Sequence, residues 1–248
     1  MDKRLDHILG ILSDGHKASV KELAERLNVS PATIRQDLTR LEQDGFLKRF
    51  HGGAVLDETD VISHRMAINY DIKKKIAAKA ASFINEGDTI FLESGSIMAL
   101  LVKEIAALKN ITIITSNAFI ARSVAQNAEN NVVLIGGVFQ PESESLVGKM
   151  AVLCIEQLHF SKAFIGVDGF TGDTGFTGRD MMRAEIASTI IKKSPEVFII
   201  TDSSKFGRIN LSRYCTLDET DHIITDSTIP DSFREMVSKE SDLIIIDE

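Results

Sequence analysis

The sequence has little of what metal, redox and membrane proteins require. Its 248 residues include no tryptophan and only two cysteines, Cys154 and Cys215, whose separation does not match the spacing of a metal or redox motif. No apolar run approaches the roughly 20 residues of a membrane-spanning helix. The first residues lack the apolar core of a signal peptide. Neither glycine-rich nucleotide fingerprint follows a strand-like run. We therefore predict a reduced, cytoplasmic chain with no metal, no cofactor and no membrane partner.

The net charge does not decide whether the chain binds nucleic acid. The whole chain carries a formal charge of −8, but residues 1–56 hold nine Lys and Arg against eight Asp and Glu. The remainder holds 19 basic against 28 acidic residues and is therefore the acidic part. Because local patches determine contacts with DNA, a near-neutral N-terminal segment still permits them.

Two short helical patterns come first in the chain. Apolar residues recur at i, i+3, i+4 and i+7 in LDHILGIL and again in SVKELAERL, as on one face of a helix. Ser19 and Glu22 have the spacing of a capping box at the start of the second pattern. We therefore predict two short amphipathic helices, the second of which is joined by a tight turn to a third helix.

This third helix and a ribbon complete the N-terminal segment. SPATIRQDLTRLEQDG begins with Ser30 as a predicted N-cap and closes at Gly45. FLKRFHGGAVL predicts two short strands joined at Gly52 and Gly53. Two helices with a tight turn, a third helix and a ribbon predict a winged helix-turn-helix domain over residues 1–56.

The third helix has an apolar face and a polar face. Ile34, Leu38 and Leu41 lie within about 60° of each other and would pack on the first two helices. The opposite side offers Gln and Arg, which pair with bases or hold phosphates, and the ribbon adds basic residues. The alternative is a small domain that contacts protein rather than DNA. The predicted DNA-contacting set is Ser30, Ala32, Thr33, Arg35, Gln36, Thr39, Arg40, Lys48, Arg49 and His51.

The rest of the chain alternates helices with short β-branched runs. Residues 57–70 show no clean period and are predicted to be a linker. Continuous apolar strands between helices predict a mainly parallel α/β domain over residues 71–248, with its sheet covered on both faces. The seven strand candidates are DTIFLE, ITIIT, NVVLIG, KAFIGVD, EVFIITD, DHIITD and LIIID, and the helices are expected around 71–84, 96–108, 117–128, 148–158, 181–193 and 231–239.

Polar segments follow five of these strands, where ligands of parallel sheets bind. One of them, VDGFTGDTGFTGRD over residues 167–180, is interpreted as a loop between a strand and a helix. Each segment alone could be only a helix cap or a turn, but five on one edge predict a pocket. Its predicted residues are Glu93, Ser94, Gly95, Ser96, Ser116, Asn117, Gly136, Gly137, Asp168, Gly169, Thr177, Arg179 and Lys205.

The segment VSPATIRQDLTRLEQDGFLKRFHGGAVL resembles the N-terminal signature of the DeoR family of bacterial transcriptional regulators. Members usually have TIRRDL where this chain has Gln36 in place of the second arginine. IAAKAASFINEGDTIFLESGS, ITIITSN, LIGG and TDSSKFG resemble the family's sensor-domain blocks, and residues 159–185 are most similar to its YciT-type branch. The resemblance implies a repressor, as a homodimer or homotetramer, whose binding to double-stranded operator DNA is controlled by a phosphorylated sugar or related metabolite.

The family's sensor domain resembles the fold of ribose-5-phosphate isomerase, which raises the question of catalysis. That enzyme uses an Asp-Gly-Ala-Asp-Glu loop and then a lysine, whereas here Phe and Thr follow Asp168 and Gly169. The next turn contains no lysine, and the nearest are Lys162 and Lys192. Enediol chemistry needs a base and an acid or cation, so we predict binding without turnover. The alternatives are a sugar-phosphate isomerase or transferase fused to a DNA-binding domain, and an architectural DNA binder whose acidic domain only oligomerises.

Overall fold

The computed structural model describes residues 3–15, 17–43, 47–55, 62–125 and 127–247. The chain divides into two compact units, Met1–Asp71 and Ile72–Glu248. Part of the segment predicted as a linker is helical, because Ile62–Ala67 forms a short helix within it. None of the described helices combines the length and the apolar character needed to cross a bilayer.

The first unit contains helices and one small sheet. Its elements are α1 (Lys3–Gly15), β1 (Lys17–Ser19), α2 (Val20–Leu27), α3 (Pro31–Gln43), β2 (Lys48–Phe50), β3 (Gly53–Val55) and α4 (Ile62–Ala67). The sheet is antiparallel with strand order β1-β3-β2. The predicted ribbon of two strands is therefore incomplete, since β1 adds a third. Gly53 belongs to β3 rather than to the turn, and a Cβ there would lie 2.4 Å from the Ala18 carbonyl oxygen.

The helix faces and caps of this unit follow the predicted pattern. The apolar stripes of α1 and α3 are buried. Ser19 Oγ accepts the Glu22 N–H at 3.1 Å, and Ser30 Oγ accepts the Thr33 N–H at 3.1 Å, so both serines cap their helices. Gly45, the predicted end of α3, lies outside the described residues. The side chains that form the stripes are Leu5, Ile8, Leu9, Leu12, Ile34, Leu38 and Leu41.

The second unit is an α/β domain that begins within α5 (Tyr70–Ala81). Its further elements are β4 (Thr89–Leu92), α6 (Ser96–Glu104), β5 (Thr112–Thr115), α7 (Ala118–Val124), β6 (Asn131–Leu134), β7 (Val138–Gln140), β8 (Ser145–Val147), α8 (Lys149–Gln157), β9 (Lys162–Ile165), β10 (Gly169–Thr171), β11 (Gly175–Gly178), α9 (Met181–Lys193), β12 (Val197–Ile200), β13 (Ser212–Cys215), β14 (His222–Asp226), α10 (Asp231–Val237) and β15 (Asp242–Ile246).

A seven-stranded sheet forms the centre of this unit. Its order is β15-β14-β12-β9-β4-β5-β6, and each neighbouring pair is parallel. All seven strands coincide with the predicted runs, which confirms the parallel α/β architecture. Because the strands are parallel, the segments after them meet at one edge of the sheet. The first residues of α6, α7 and α9 also lie directly after such segments.

The segment 167–180, predicted as a loop, is instead an antiparallel hairpin. Its strands β10 and β11 pair with Phe170 opposite Phe176, and β13 extends them into a three-stranded sheet. The two phenylalanine rings are buried, with centroids 4.4 Å apart. Aromatic burial therefore orders a glycine-rich segment whose composition alone suggests a turn.

Candidate functional site

The outer side of α3 is exposed, polar and basic. Arg35, Gln36 and Arg40 are exposed there, as is the small side chain of Ala32. Ser30 is also exposed, and its hydroxyl lies 2.8 Å from that of Thr33. The opposite side of α3 is buried in the unit's core. This helix can therefore present Arg and Gln side chains to base edges or phosphates without disturbing the packing behind it.

Arg49 joins the β2–β3 ribbon to α3. Its Nη1 donates to Thr39 Oγ1 at 2.7 Å, and its backbone N–H donates to Glu42 Oε1 at 2.8 Å. Thr39 Oγ1 in turn donates to the Arg35 carbonyl oxygen at 2.8 Å. The ribbon therefore brings its exposed residues Lys48, Arg49 and His51 next to the basic side of the helix. Thr39 acts in this arrangement as a link between helix and ribbon.

Asp37 is a residue of this unit that sequence reasoning did not select. Arg4 on α1 donates to its carboxylate from Nε at 2.6 Å and from Nη2 at 3.1 Å. Asp37 is buried, three residues after Ile34 and on the same face of α3. A carboxylate on an otherwise apolar face was the available signal, since buried charges require partners. This bidentate pair fixes how α3 lies on α1.

Buried polar side chains are concentrated at the carboxyl edge of the seven-stranded sheet. They come from five different strand ends. Four of them are carboxylates. The buried side chains at this edge are Glu93, Ser94, Ser96, Thr115, Ser116, Asn117, Asp168, Thr201, Asp202, Thr225 and Asp226.

The beginning of α6 offers uncapped N–H groups at this edge. Gly95 is its N-cap, with φ +113°, and among the described side chains none forms a cap hydrogen bond there. No described atom lies within 4 Å of the place where a Cβ would stand on Gly95. The first N–H groups of a helix need acceptors, and a phosphate can provide them. Ser94 Oγ donates to Glu93 Oε1 at 2.5 Å beside this opening.

Two other helices at this edge are already capped. Asn117 Oδ1 accepts the Ile120 N–H at 3.1 Å on α7, and Asp180 Oδ1 accepts the Arg183 N–H at 2.8 Å on α9. Asn117 Nδ2 also donates to the Ser143 carbonyl oxygen at 2.8 Å. The Ser116 carbonyl accepts the Leu146 N–H at 2.7 Å. Ser116 and Asn117 therefore hold the β7–β8 turn in place through these hydrogen bonds.

Gly136 and Gly137 differ in their surroundings. A Cβ on Gly137 would lie 2.7 Å from the Val147 carbonyl oxygen, so this glycine permits close packing against β8. At Gly136 the nearest described atom to a Cβ is Cys154 Sγ at 3.9 Å. Packing alone therefore accounts for Gly137, whereas Gly136 remains exposed at the edge.

The β10–β11 hairpin places four predicted residues at the same edge. Asp168 is buried, and its Oδ2 accepts the Arg179 N–H at 3.4 Å. Thr177 Oγ1 accepts the Asn210 N–H at 3.1 Å, and a Cβ on Gly169 would lie 2.4 Å from the Arg208 carbonyl oxygen. Gly169 and Thr177 thus hold the segment 208–210 against the hairpin. Arg179 is exposed and can move toward a ligand.

Asp226 positions the turn that carries Lys205, and sequence reasoning did not select it. Its Oδ1 accepts the Ser203 N–H at 2.7 Å, and its Oδ2 accepts the Thr228 N–H at 3.3 Å together with the Thr228 hydroxyl. Lys205 ends the 3₁₀ turn Ser203–Lys205 and is half-buried. Burial acts to raise the pKa of Asp226, but the hydrogen bonds from Thr228 and Ser203 outweigh it and the pKa lies below its ordinary value.

Asp226→Asn is expected to lower the free energy of unfolding by about 1 to 3 kcal/mol near neutral pH, because charge-assisted hydrogen bonds are weakened. A carboxylate with a lowered folded pKa stabilises the protein above its unfolded pKa of about 3.9 and loses that effect as the pH falls through the folded value. The difference between variant and wild type should therefore shrink toward pH ~3. Thermal unfolding followed by circular dichroism over this range measures it.

Asp173→Asn provides the matched control, because Asp173 is exposed in the β10–β11 turn. It should change the unfolding temperature little at either pH. A difference between Asp226→Asn and wild type that stays constant from neutral to acidic pH would show that the charge of Asp226 does not stabilise the turn.

The lysines considered for catalysis lie away from this edge. Lys162 begins β9, at the opposite end of the strand, and its Nζ lies 2.6 Å from Asp88 Oδ2. Burial acts to raise the pKa of Asp88, but Lys162 and the Asn85 N–H lower it further than burial raises it. Lys192 is exposed in the last turn of α9. Neither lysine is placed to transfer a proton beside Asp168.

Two family descriptions match the chain. The DeoR-like helix-turn-helix domain matches residues 4–60, and the DeoR C-terminal sensor domain matches residues 68–227. The first match covers α3 and the ribbon, and the second covers most of the parallel sheet together with its polar edge.

Two similar regulators match the chain over nearly its full length, and a solved structure matches about half of it. The HTH-type transcriptional regulator GolR of Listeria innocua is 32% identical over 231 residues, which cover 92% of this chain and 91% of that protein. The lactose phosphotransferase system repressor of Streptococcus mutans is 32% identical over 250 residues, which cover 98% of each. A solved structure of ribose 5-phosphate isomerase A from Methanocaldococcus jannaschii is 20% identical, with a TM-score of 0.40 over 56% of this chain and 55% of that one.

Proposed function

Since this chain belongs to the DeoR family of DNA-binding transcriptional regulators, we propose that it represses transcription from an operator and that a phosphorylated sugar or related metabolite controls this repression. Its first unit binds double-stranded operator DNA, and its second unit binds the metabolite at the carboxyl edge of the sheet. Relatives that are named repressors support repression as the direction of control.

The exposed basic side of α3, continued by the β2–β3 ribbon, carries the proposal for DNA. Arg35 and Gln36 are exposed on a helix whose other side is packed, so they can reach base edges in a major groove. Arg49 is held beside the helix through Thr39 and can contact the adjacent backbone. Lys48, Arg49 and His51 would position the domain, and the helix residues would select the sequence.

The open N-terminus of α6 carries the proposal for a phosphorylated ligand. The N–H groups after Gly95 favour an anion, and the cationic side chains of Lys205 and Arg179 follow other strand ends at the same edge. Sugar hydroxyls need acceptors, which the buried carboxylates of Glu93 and Asp168 supply. A ligand that carries both a phosphate and hydroxyls fits this combination of cationic groups and carboxylates.

We propose that the site binds without catalysing a reaction. Isomerisation of a sugar phosphate needs a base and an acid or cation on the same carbon atoms. Asp168 shares its carboxylate with the Arg179 N–H, and Lys162 is paired with Asp88 at the far end of β9. The alternative remains a sugar-phosphate isomerase or transferase joined to a DNA-binding domain.

The mechanism that we propose is linkage between the two ligands. Winged helix-turn-helix proteins read paired half-sites as dimers, so the chain would act as a homodimer or homotetramer. A metabolite that binds one arrangement of the oligomer more tightly shifts the population toward it. The same coupling free energy then changes the affinity for the operator.

A ligand screen on the full chain tests the proposal. A phosphorylated sugar at about 100 times its dissociation constant should stabilise the protein by about 2.7 kcal/mol, seen as a higher unfolding temperature. The same compound should change the retardation of promoter DNA, whereas the unphosphorylated sugar serves as the matched control and should have a much smaller effect on both at the same concentration. Stabilisation by no member of a phosphorylated-sugar library would favour an architectural DNA binder. Conversion of a compound, detected by NMR and lost in Asp168→Asn, would favour the enzyme.

A further inference from the structure

Helix α8 is apolar on two opposite sides. Ala151, Val152 and Ile155 are buried against the second unit's core. On the other side, Met150, Leu153 and Cys154 follow at i, i+3 and i+4, and Met150 and Leu153 are 64% and 42% exposed. A helix that borders solvent normally has one apolar stripe and one polar face. Packing within this unit therefore does not explain the outward apolar stripe of α8.

The stripe continues onto neighbouring elements. Together with β6, the edge strand of the seven-stranded sheet, it lines a groove of about 400 Å³. A Cβ on Gly148 would lie 3.4 Å from Met182 and 3.8 Å from Val138, so these two side chains extend the apolar area past the start of α8. We call this area the α8 face; its exposed members are Val133, Leu134, Val138, Met150, Leu153 and Met182.

The α8 face concentrates exposed apolar surface in one place. It holds six of the thirteen large hydrophobic side chains that are exposed among the described residues. Scattered apolar residues are normal on a protein surface, but a contiguous group of this kind marks a binding surface. Methionine, which supplies two of the six, adapts its shape to a partner and is common in interfaces.

We propose that the α8 face binds the same face of a second copy of this chain. The chain has a formal charge of −8, so contact between two copies is least opposed where the touching surfaces add no charge of their own. None of the described residues that line the groove between β6 and α8 is charged. An apolar surface of this kind matches itself across a two-fold axis, as a symmetric dimer requires. The need for two DNA-binding units adds a further argument, which rests on the proposed function.

Leu153→Asp tests the interface on the full chain. An unpaired carboxylate on each side of the two-fold contact is expected to raise the dissociation constant of the oligomer by at least about 30-fold, since a desolvated charge without a partner strongly opposes association. Sedimentation velocity over a concentration series measures this change. Leu211→Asp is the matched control, because Leu211 is 73% exposed outside the α8 face. It should leave the molar mass unchanged.

A second variant and a thiol measurement distinguish loss of the interface from misfolding. Met150→Lys removes another outward side chain and should also weaken the oligomer, with circular dichroism and unfolding temperature close to wild type in both variants. Burial, and to a lesser extent the negative charges of Glu219 and Asp218, raises the pKa of the Cys215 thiol. A thiol reagent at neutral pH is therefore expected to react with Cys154 rather than with Cys215. Cys154 lies on the α8 face and should react faster in Leu153→Asp than in wild type at equal concentration.

Three outcomes overturn the interface: a monomeric wild-type protein, an unchanged mass in folded Leu153→Asp, or an equal loss of mass in Leu153→Asp and Leu211→Asp. Operator retardation separates this result from the proposed function. If the wild type binds promoter DNA and Leu153→Asp keeps the molar mass of the wild-type oligomer, only the proposed interface is contradicted. Loss of mass in Leu153→Asp, with no promoter fragment bound by wild type, contradicts the proposed function and leaves the interface supported.

Discussion

Replacing Arg35 and Gln36 together by alanine is expected to weaken operator binding by more than about 100-fold, because each bidentate contact with a base is worth about 1 to 3 kcal/mol. Both side chains are exposed on α3, and neither belongs to the apolar core behind it. The fold and the unfolding temperature should therefore remain close to wild type. Fluorescence anisotropy with promoter DNA at a fixed salt concentration measures the loss.

The salt dependence of binding then separates the two kinds of contact. A variant that loses a phosphate contact lowers the slope of log affinity against log salt by about 0.9, whereas a lost base contact leaves the slope nearly unchanged. We expect Arg49→Ala to lower the slope and Gln36→Ala to change mainly the sequence preference. Lys109→Ala is the control, because it removes one charge from an exposed pair with Glu129 in the second unit. Unchanged affinity in the Arg35 and Gln36 variant would exclude α3 as the recognition helix.

The central sheet was predictable from the sequence because each of its strands is a short apolar run between helices, and the five strands inside the two edges, β14, β12, β9, β4 and β5, are buried. TIIT in β5 and VFII in β12 are examples, and their burial needs no special partner beyond the neighbouring strands. Their parallel arrangement followed from the helices between them. Local pattern and tertiary packing agree at these positions, so the pattern was sufficient.

The shorter strands were not predictable in this way. Gly175–Gly178 has the composition of a turn, and it becomes a strand because Phe176 pairs with Phe170 on one side and with Cys215 on the other. The partner Cys215 is distant in sequence, and no local period indicates the pairing. Lys17–Ser19 similarly becomes a strand only because Gly53 allows close approach to Ala18. Long-range contacts decided these elements.

The candidate pocket was predicted at the level of strand ends and less well at the level of residues. Composition favours Asn117 and Gly137 as ligand contacts, yet Asn117 is bound to Ser143 and Gly137 packs on Val147. Asp226 was overlooked because TDST resembles an ordinary turn, although its carboxylate holds the segment that carries Lys205. Such roles depend on which segments meet in space.

Combining Asp168→Asn with Lys205→Ala is expected to raise the concentration of phosphorylated sugar needed for release from the operator by more than about 100-fold. Each substitution weakens a charge-assisted hydrogen bond worth about 1.5 to 3 kcal/mol, so the two together are expected to cost about 3 kcal/mol or more. Asn keeps the shape of Asp168 and can still accept the Arg179 N–H, so the β10–β11 hairpin should remain folded. Operator affinity without metabolite should stay at the wild-type value.

The single variants assign the two ends of the ligand. Lys205→Ala should lower the affinity for the phosphorylated sugar toward the affinity for its unphosphorylated form, because the cation acts on the phosphate alone. Asp168→Asn should weaken both forms by a similar factor, because its carboxylate accepts sugar hydroxyls. Lys192→Ala is the matched control, since Lys192 is an exposed lysine at the end of α9. If Lys205→Ala and Lys192→Ala respond alike to the phosphorylated sugar, the phosphate does not bind beside the Ser203–Lys205 turn, and the open N-terminus of α6 must hold it without a lysine.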